Sequence, residues 1–156
     1  MDYYEDRKEW TIENLVIPSK INGIEVKKIG NSFLKAGWFR VEADSLGNSL
    51  KSVVIPNTVI EIEDEAFMAC ENLTNIVIPT SVESIGEFAF ADCNGLKEVC
   101  YRGTEEQWNQ ITINNGNEDL TNASIICNVQ EYKEYSKFAE EYLANKSQEE
   151  LEELML

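Results

Sequence analysis

The sequence predicts a solenoid in which short parallel strands stack coil upon coil, and three observations predict it. Apolar residues return with a fixed period, a proline closes most of the apolar units, and helical signals are confined to the region after Gly103. The unit Leu50-Lys51-Ser52-Val53-Val54-Ile55-Pro56 returns 23 residues later as Leu73-Thr74-Asn75-Ile76-Val77-Ile78-Pro79. A further 23 residues bring the frame to Leu96-Lys97-Glu98-Val99-Cys100-Tyr101. Downstream positions follow the same period: Thr58 and Ser81, Val59 and Val82, Ile62 and Ile85, Ala66-Phe67 and Ala89-Phe90, Cys70 and Cys93. One such unit cannot bury its own apolar side, so its stability must come from stacking on its neighbours.

Each element has a local reason. Val53 and Ile55, like Ile76 and Ile78 or Val99 and Tyr101, are two residues apart and share one face of a strand. The following proline cannot donate to a ladder and ends the strand. Val59 and Ile62, with Val82 and Ile85, are expected to form the opposite wall, and Phe67 and Phe90 to fill the space between. An upstream copy, Ile12-Glu13-Asn14-Leu15-Val16-Ile17-Pro18, precedes the next by 38 residues and therefore carries an insertion of fifteen. About five of these surround Asn22-Gly23, a turn signal. The others follow Phe33 and include Trp38 and Phe39. A weaker copy, Leu120-Thr121-Asn122-Ala123-Ser124-Ile125, follows at a spacing of 24. Five parallel strands are thus predicted, at 12–17, 50–55, 73–78, 96–101 and 120–125.

Both ends of a solenoid must be covered. Thr104-Glu105-Glu106-Gln107 has the form of a capping box and predicts a helix at about 105–111. By the 23-residue count Trp108 takes the place of Ile85, as a plug over the last coil. Tyr3, Tyr4 and Trp10 are assigned to the other end. A second helix is predicted at 131–144, with Tyr135, Phe138, Ala139, Tyr142 and Leu143 on one stripe. The expected organisation is a capped solenoid over 1–129 and an acidic helical tail over 130–156 packed on the same domain. The alternative is a tail that docks onto a partner or a second copy.

The segment from Ile55 to Val99, with its paired "IP", "AF" and "C" positions, resembles the BspA-type leucine-rich repeat family of bacterial, largely surface-associated proteins. The resemblance extends to "YRGTEEQWNQITI" and "NEDLTNASIICN", similar to the segment that closes such arrays, and covers about Ile12 to Asn128. It implies a right-handed leucine-rich-repeat solenoid used for protein or host-surface recognition, and no catalytic residue. The insertion in the first repeat and the acidic tail depart from the family pattern.

Charge narrows the partners. The chain carries 29 acidic and 13 basic residues and no histidine, a formal net charge of −16. Most of that excess lies in the flanks, since residues 15–103 hold twelve acids against eight bases. Such a field disfavours direct binding to nucleic acid or an anionic membrane surface. Without histidine, Ser-His-Asp and Cys-His catalysis and histidine-ligated zinc are excluded. The pairs Glu105/Glu106, Glu140/Glu141 and Glu152/Glu153 diverge on a helix, so none converges on one proton. No cofactor and no metal is expected, and the chain is read as non-enzymatic. The start, Met1-Asp2-Tyr3-Tyr4-Glu5-Asp6-Arg7, lacks the apolar stretch of a secretory signal, which points to a cytoplasmic setting with reduced thiols. Cys70 and Cys93 fall in neighbouring coils, where a small buried side chain, a disulfide or half of a soft-metal site all fit the spacing.

The outward face of the sheet is the candidate site. Val16, Val54, Val77 and Cys100 alternate with core residues and form an apolar column, continued at Ser124. Beside it run Asn14, Ser52, Asn75, Glu98 and Asn122, then Glu13, Lys51, Thr74, Lys97 and Thr121. An apolar stripe on a parallel sheet either is covered or binds something. The expected function is recognition of a macromolecular partner through Val16, Val54, Val77, Cys100, Asn75 and Glu98, with Trp38 and Phe39 at the edge. The other reading is an intracellular acidic inhibitor or decoy that blocks a basic, nucleic-acid-binding protein. A monomer is favoured.

Overall fold

The structure is a computed structural model and describes residues 13–21, 23–30, 49–129 and 147. In chain order the strands are β1 (Asn14–Val16), β2 (Lys20–Ile21), β3 (Ile24–Glu25), β4 (Lys28–Ile29), β5 (Ser52–Val54), β6 (Glu61–Ile62), β7 (Asn75–Ile78), β8 (Ser84–Ile85) and β9 (Glu98–Tyr101). Helix α1 (Glu105–Trp108), β10 (Thr112–Ile113), α2 (Glu118–Thr121) and β11 (Ser124–Ile126) complete the series.

Two parallel ladders face each other. The larger sheet has the order β1-β5-β7-β9-β11, and the second has the order β10-β8-β6-β4. Leu15, Val53, Ile76, Val99 and Ile125 stand in one register across the first. Ile29, Ile62, Ile85 and Ile113 do so across the second. The core between them is one cluster that includes Leu50, Leu73, Phe67, Phe90, Cys70, Cys93 and Tyr101. The predicted five-stranded parallel solenoid is what the chain forms. The opposite wall is itself a hydrogen-bonded ladder, unforeseen because two-residue strands are too short to show alternation.

The insertion around Gly23 is an antiparallel hairpin of β2 and β3, with Gly23 at a φ of 77°. It sits between the two walls of the first coil. Helix α1 occupies the corresponding stretch of the last complete coil. Thr104 and Gln107 make the expected capping box, but the α-helix ends at Trp108 and does not reach Ile111. The residue paired with Ile85 is Ile113, so Trp108 does not take its place. It packs edge-on against Tyr101, with ring centroids 5.3 Å apart, and closes the core from the helix.

The fifth strand also departs from the prediction. Ser124 pairs with Glu98 and Ile126 with Cys100, two residues later than the spacing of 24 implies. The cause is α2, which takes residues 118–121 out of the strand and points Leu120, fully buried, into the open end of the core. Asn117 holds this turn. Its side chain accepts from the Phe90 N–H at 2.9 Å and donates to the Gly86 and Asn114 carbonyls at 2.9 and 2.8 Å. Within the array the equivalent N–H of Phe67 donates to the Ala89 carbonyl of the next coil. Asn117 therefore ends the turn ladder by supplying the acceptor that a further coil would have given. The N-terminal residues Tyr3, Tyr4 and Trp10, the insertion carrying Trp38 and Phe39, and the tail helix at 131–144 lie outside the described residues.

Candidate recognition surface

Strand alternation places the side chains of Asn14, Ser52, Asn75, Glu98 and Ser124, and those of Val16, Val54, Val77, Cys100 and Ile126, on the outer face of the first sheet. Ile126 thus continues the apolar column in place of Ser124, and Ser124 continues the polar column in place of Asn122. Ala123 replaces Thr121 beside Lys97, whose carbonyl accepts from the Ser124 N–H.

The apolar column is not open to solvent. Val54, Val77 and Cys100 retain 9%, 1% and 2% of their exposure and form a second apolar cluster, with the half-buried Val16 and Val129 packed against it. Val129 reaches this position because Asn128, at a φ of 60°, reverses the chain after β11. The Asn128 and Val129 N–H groups then donate to the Gly103 and Tyr101 carbonyls.

The polar columns are ordered by contacts between coils. The Ser52 hydroxyl donates to Asn14 Oδ1 at 2.6 Å, and Asn75 Nδ2 donates to Glu98 Oε1 at 3.3 Å. Asn75 Nδ2 also approaches Cys100 Sγ at 3.7 Å, which ties the polar column to the apolar one. Lys51 and Glu13 form an ion pair at 3.0 Å. Glu13, Lys51, Thr74 and Lys97 are exposed, and Asn75 and Glu98 are half-buried. Of the sequence-predicted site residues, Val16, Val54, Val77, Cys100, Asn75 and Glu98 share this face, and Trp38 and Phe39 lie outside the described residues.

The hydroxyl column is mixed. Thr58 donates to the Val26 carbonyl at 2.7 Å and Thr104 accepts from Gln107, as expected of turn residues. The Ser81 hydroxyl is buried without a partner. Cys70 and Cys93 are free thiols, and Cys93 Sγ donates to the Phe67 carbonyl at 3.2 Å. Among the described residues no group of three potential ligands is gathered for a metal ion.

Sequence reasoning did not foresee the turn side of the coils. Between Lys51 and Lys97 the chain carries Glu61, Glu63, Asp64, Glu65, Glu71, Glu83, Glu87 and Asp92 and no basic residue. Phe88 is exposed there, in a left-handed conformation at a φ of 56°. The signal was present as the absence of Lys and Arg across two whole repeats, which segment-wise charge counts averaged away.

The BspA type leucine rich repeat region, in six copies, matches residues 44–146. The chain belongs to the BspA-type leucine-rich repeat family. Repeats of this family build non-catalytic scaffolds for protein–protein interaction, and this BspA-type region is such a scaffold. No curated protein matches it. Among solved structures it is similar to a leucine rich cell surface protein of Faecalibacterium prausnitzii A2-165, at 46% identity and a TM-score of 0.41, over 42% of this chain and 17% of that one. It is also similar to a leucine rich repeat protein of T. pallidum, at 21% identity and a TM-score of 0.42, over 66% of this chain and 51% of that one. The BspA-type region thus spans less than a fifth of the first and about half of the second. The cytoplasmic setting expected from the start of the sequence is corrected by the description of the F. prausnitzii relative as a cell surface protein. That expectation rested on a missing leader, and a region this short against its relatives carries no information about one.

Proposed function

We propose that this scaffold recognises a macromolecular partner through the polar half of its five-stranded sheet face. Glu13, Lys51, Thr74 and Lys97 form the contact row, with Asn75 and Glu98 behind them. Val16, Val54, Val77 and Cys100 form the apolar floor, and Trp38 and Phe39 of the first-coil insertion form the margin. The observation that carries this reading is the contact row itself. Its side chains are exposed, and the polar column beside it is held in place by the Ser52–Asn14 and Asn75–Glu98 hydrogen bonds. A pre-ordered polar row loses little conformational freedom on binding. A photo-crosslinking side chain placed at Thr74 should capture a discrete protein, and Lys97→Glu should abolish that capture. Equal capture from Thr112 on the second sheet would count against this face.

A second reading puts a basic partner on the turn side, in line with an acidic inhibitor or decoy. It is favoured by the eight acids and no base between Lys51 and Lys97. Binding of this kind should survive Lys97→Glu and be lost at high salt, because opposite charges at an exposed surface are screened over about 3 Å at 1 M. Binding that ignores salt and fails in Lys97→Glu would exclude it.

A further inference from the structure

The covering of the apolar column asks for more chain than the described residues supply. Val54, Val77 and Cys100 lie on three successive strands, so the column they form is about 10 Å long at ~4.8 Å per strand. A single valine at one end of that column, Val129, cannot leave Val77 and Cys100 with 1% and 2% of their exposure. We infer that residues 130–144 form a helical strap laid across the outer face of the first sheet, antiparallel to the direction in which the coils stack.

Continuity, length and polarity all select this segment. The chain is already seated on the column at Val129 and is pinned there through its N–H to the Tyr101 carbonyl. A helix advances ~1.5 Å per residue, so Tyr135 to Leu143 covers about 12 Å, the length of the buried column. Tyr135, Phe138, Ala139, Tyr142 and Leu143 give that helix one apolar stripe. Its flanks are unequal: Glu131, Glu134 and Glu141 border one side of the stripe, and Lys133 and Lys137 lie away from it. Parallel crossovers are right-handed. A strap running from β9 toward β1 on such a coil turns its acidic flank to the N-terminal ends of the strands, where Lys97 and Lys51 stand exposed. Running the other way, it would turn that flank to the strand C-terminal ends. The consequence is a gated face. The polar row stays open while the apolar floor is reached only when the strap lifts. This inference does not depend on the proposed partner, since it concerns the free chain.

The test reads the Cys100 thiol in the full chain, with labelling mapped residue by residue by mass spectrometry. Cys100 should label slowly in the native protein, at a rate independent of protein concentration. Phe138→Asp should speed it by about tenfold or more, as the loss of one buried ring implies, with Cys70 and Cys93 still protected. Lys97→Glu should speed it about two- to fivefold, and adding Glu131→Lys with Glu134→Lys should restore the slow rate. An unchanged Cys100 rate in Phe138→Asp would overturn the strap, and would assign the cover to the N-terminal residues or the first-coil insertion. Protection lost on dilution would assign it to a second copy. If Phe138→Asp exposes Cys70 and Cys93 as well, the charge exchange decides alone: restoration supports the strap and its direction, and failure to restore overturns both.

Discussion

The rings of Phe67 and Phe90 lie stacked, 5.1 Å between centroids and 15° between planes, each fully buried. One repeat period separates them, so the same position in two coils makes a continuous aromatic column between the two walls. Phe67→Ala and Phe90→Ala should each cost ~3–5 kcal/mol, because rigid coils on either side cannot close the cavity. A double-mutant cycle should add a coupling of ~0.5–1.5 kcal/mol for the stacked pair. Denaturant midpoints check both, and additive losses would mean that the two rings act independently.

Stability should fall with rising pH through the Cys70 thiol. The hydrogen bond it shares with Cys93, and then its burial, hold its pKa far above the ordinary range. The folded chain therefore keeps a proton that the unfolded chain gives up near pH ~8.5. The contribution is complete below that value and declines above it, by about 1.4 kcal/mol per pH unit for one thiol. Urea titrations in reductant between pH 7.5 and 10 should show a slope that Cys70→Ala flattens. Equal slopes in the two proteins would contradict the buried, paired thiol.

Gly86 permits a close approach between coils. A Cβ built there would collide with the Asp64 backbone nitrogen and Oδ1. That same Oδ1 accepts the Glu87 N–H at 2.8 Å, so the collision falls on a hydrogen bond linking adjacent turns. Gly86→Ala should cost ~1–3 kcal/mol, the usual range for overpacking a site that cannot yield. A thermal melt within error of the parent would show that the turn relaxes freely.

The C-terminal cap should be separable from the array. Thr104→Ala removes the acceptor for the Gln107 N–H, at 3.2 Å, and should cost about 1 kcal/mol. Trp108→Ala removes the ring set against Tyr101 and should cost ~3–5 kcal/mol. Hydrogen exchange should locate the loosening in the last coil, around residues 101–126, and leave the Phe67–Phe90 turns protected. Uniform loss of protection would instead mean that the solenoid unfolds as one unit.

The sequence by itself determined the period, the parallel stack, the two core-facing columns, the turn at Gly23 and the Thr104 capping box. Each of these depends on residues close in the chain or on equal spacing between copies, and both are visible without coordinates. The tertiary structure alone decided what happens where the period breaks. Ile113, not Trp108, pairs with Ile85 because α1 adds residues between the walls. The fifth strand slips because Asn117 bonds across to Gly86 and Phe90 and draws Leu120 into the open end. The fate of the Val54–Val77–Cys100 column was likewise undetermined by alternation, which gives the face of a side chain and not what lies over it. Registers set by local repetition can be read from the chain, whereas those set by a contact between distant residues depend on a three-dimensional arrangement that spacing does not encode.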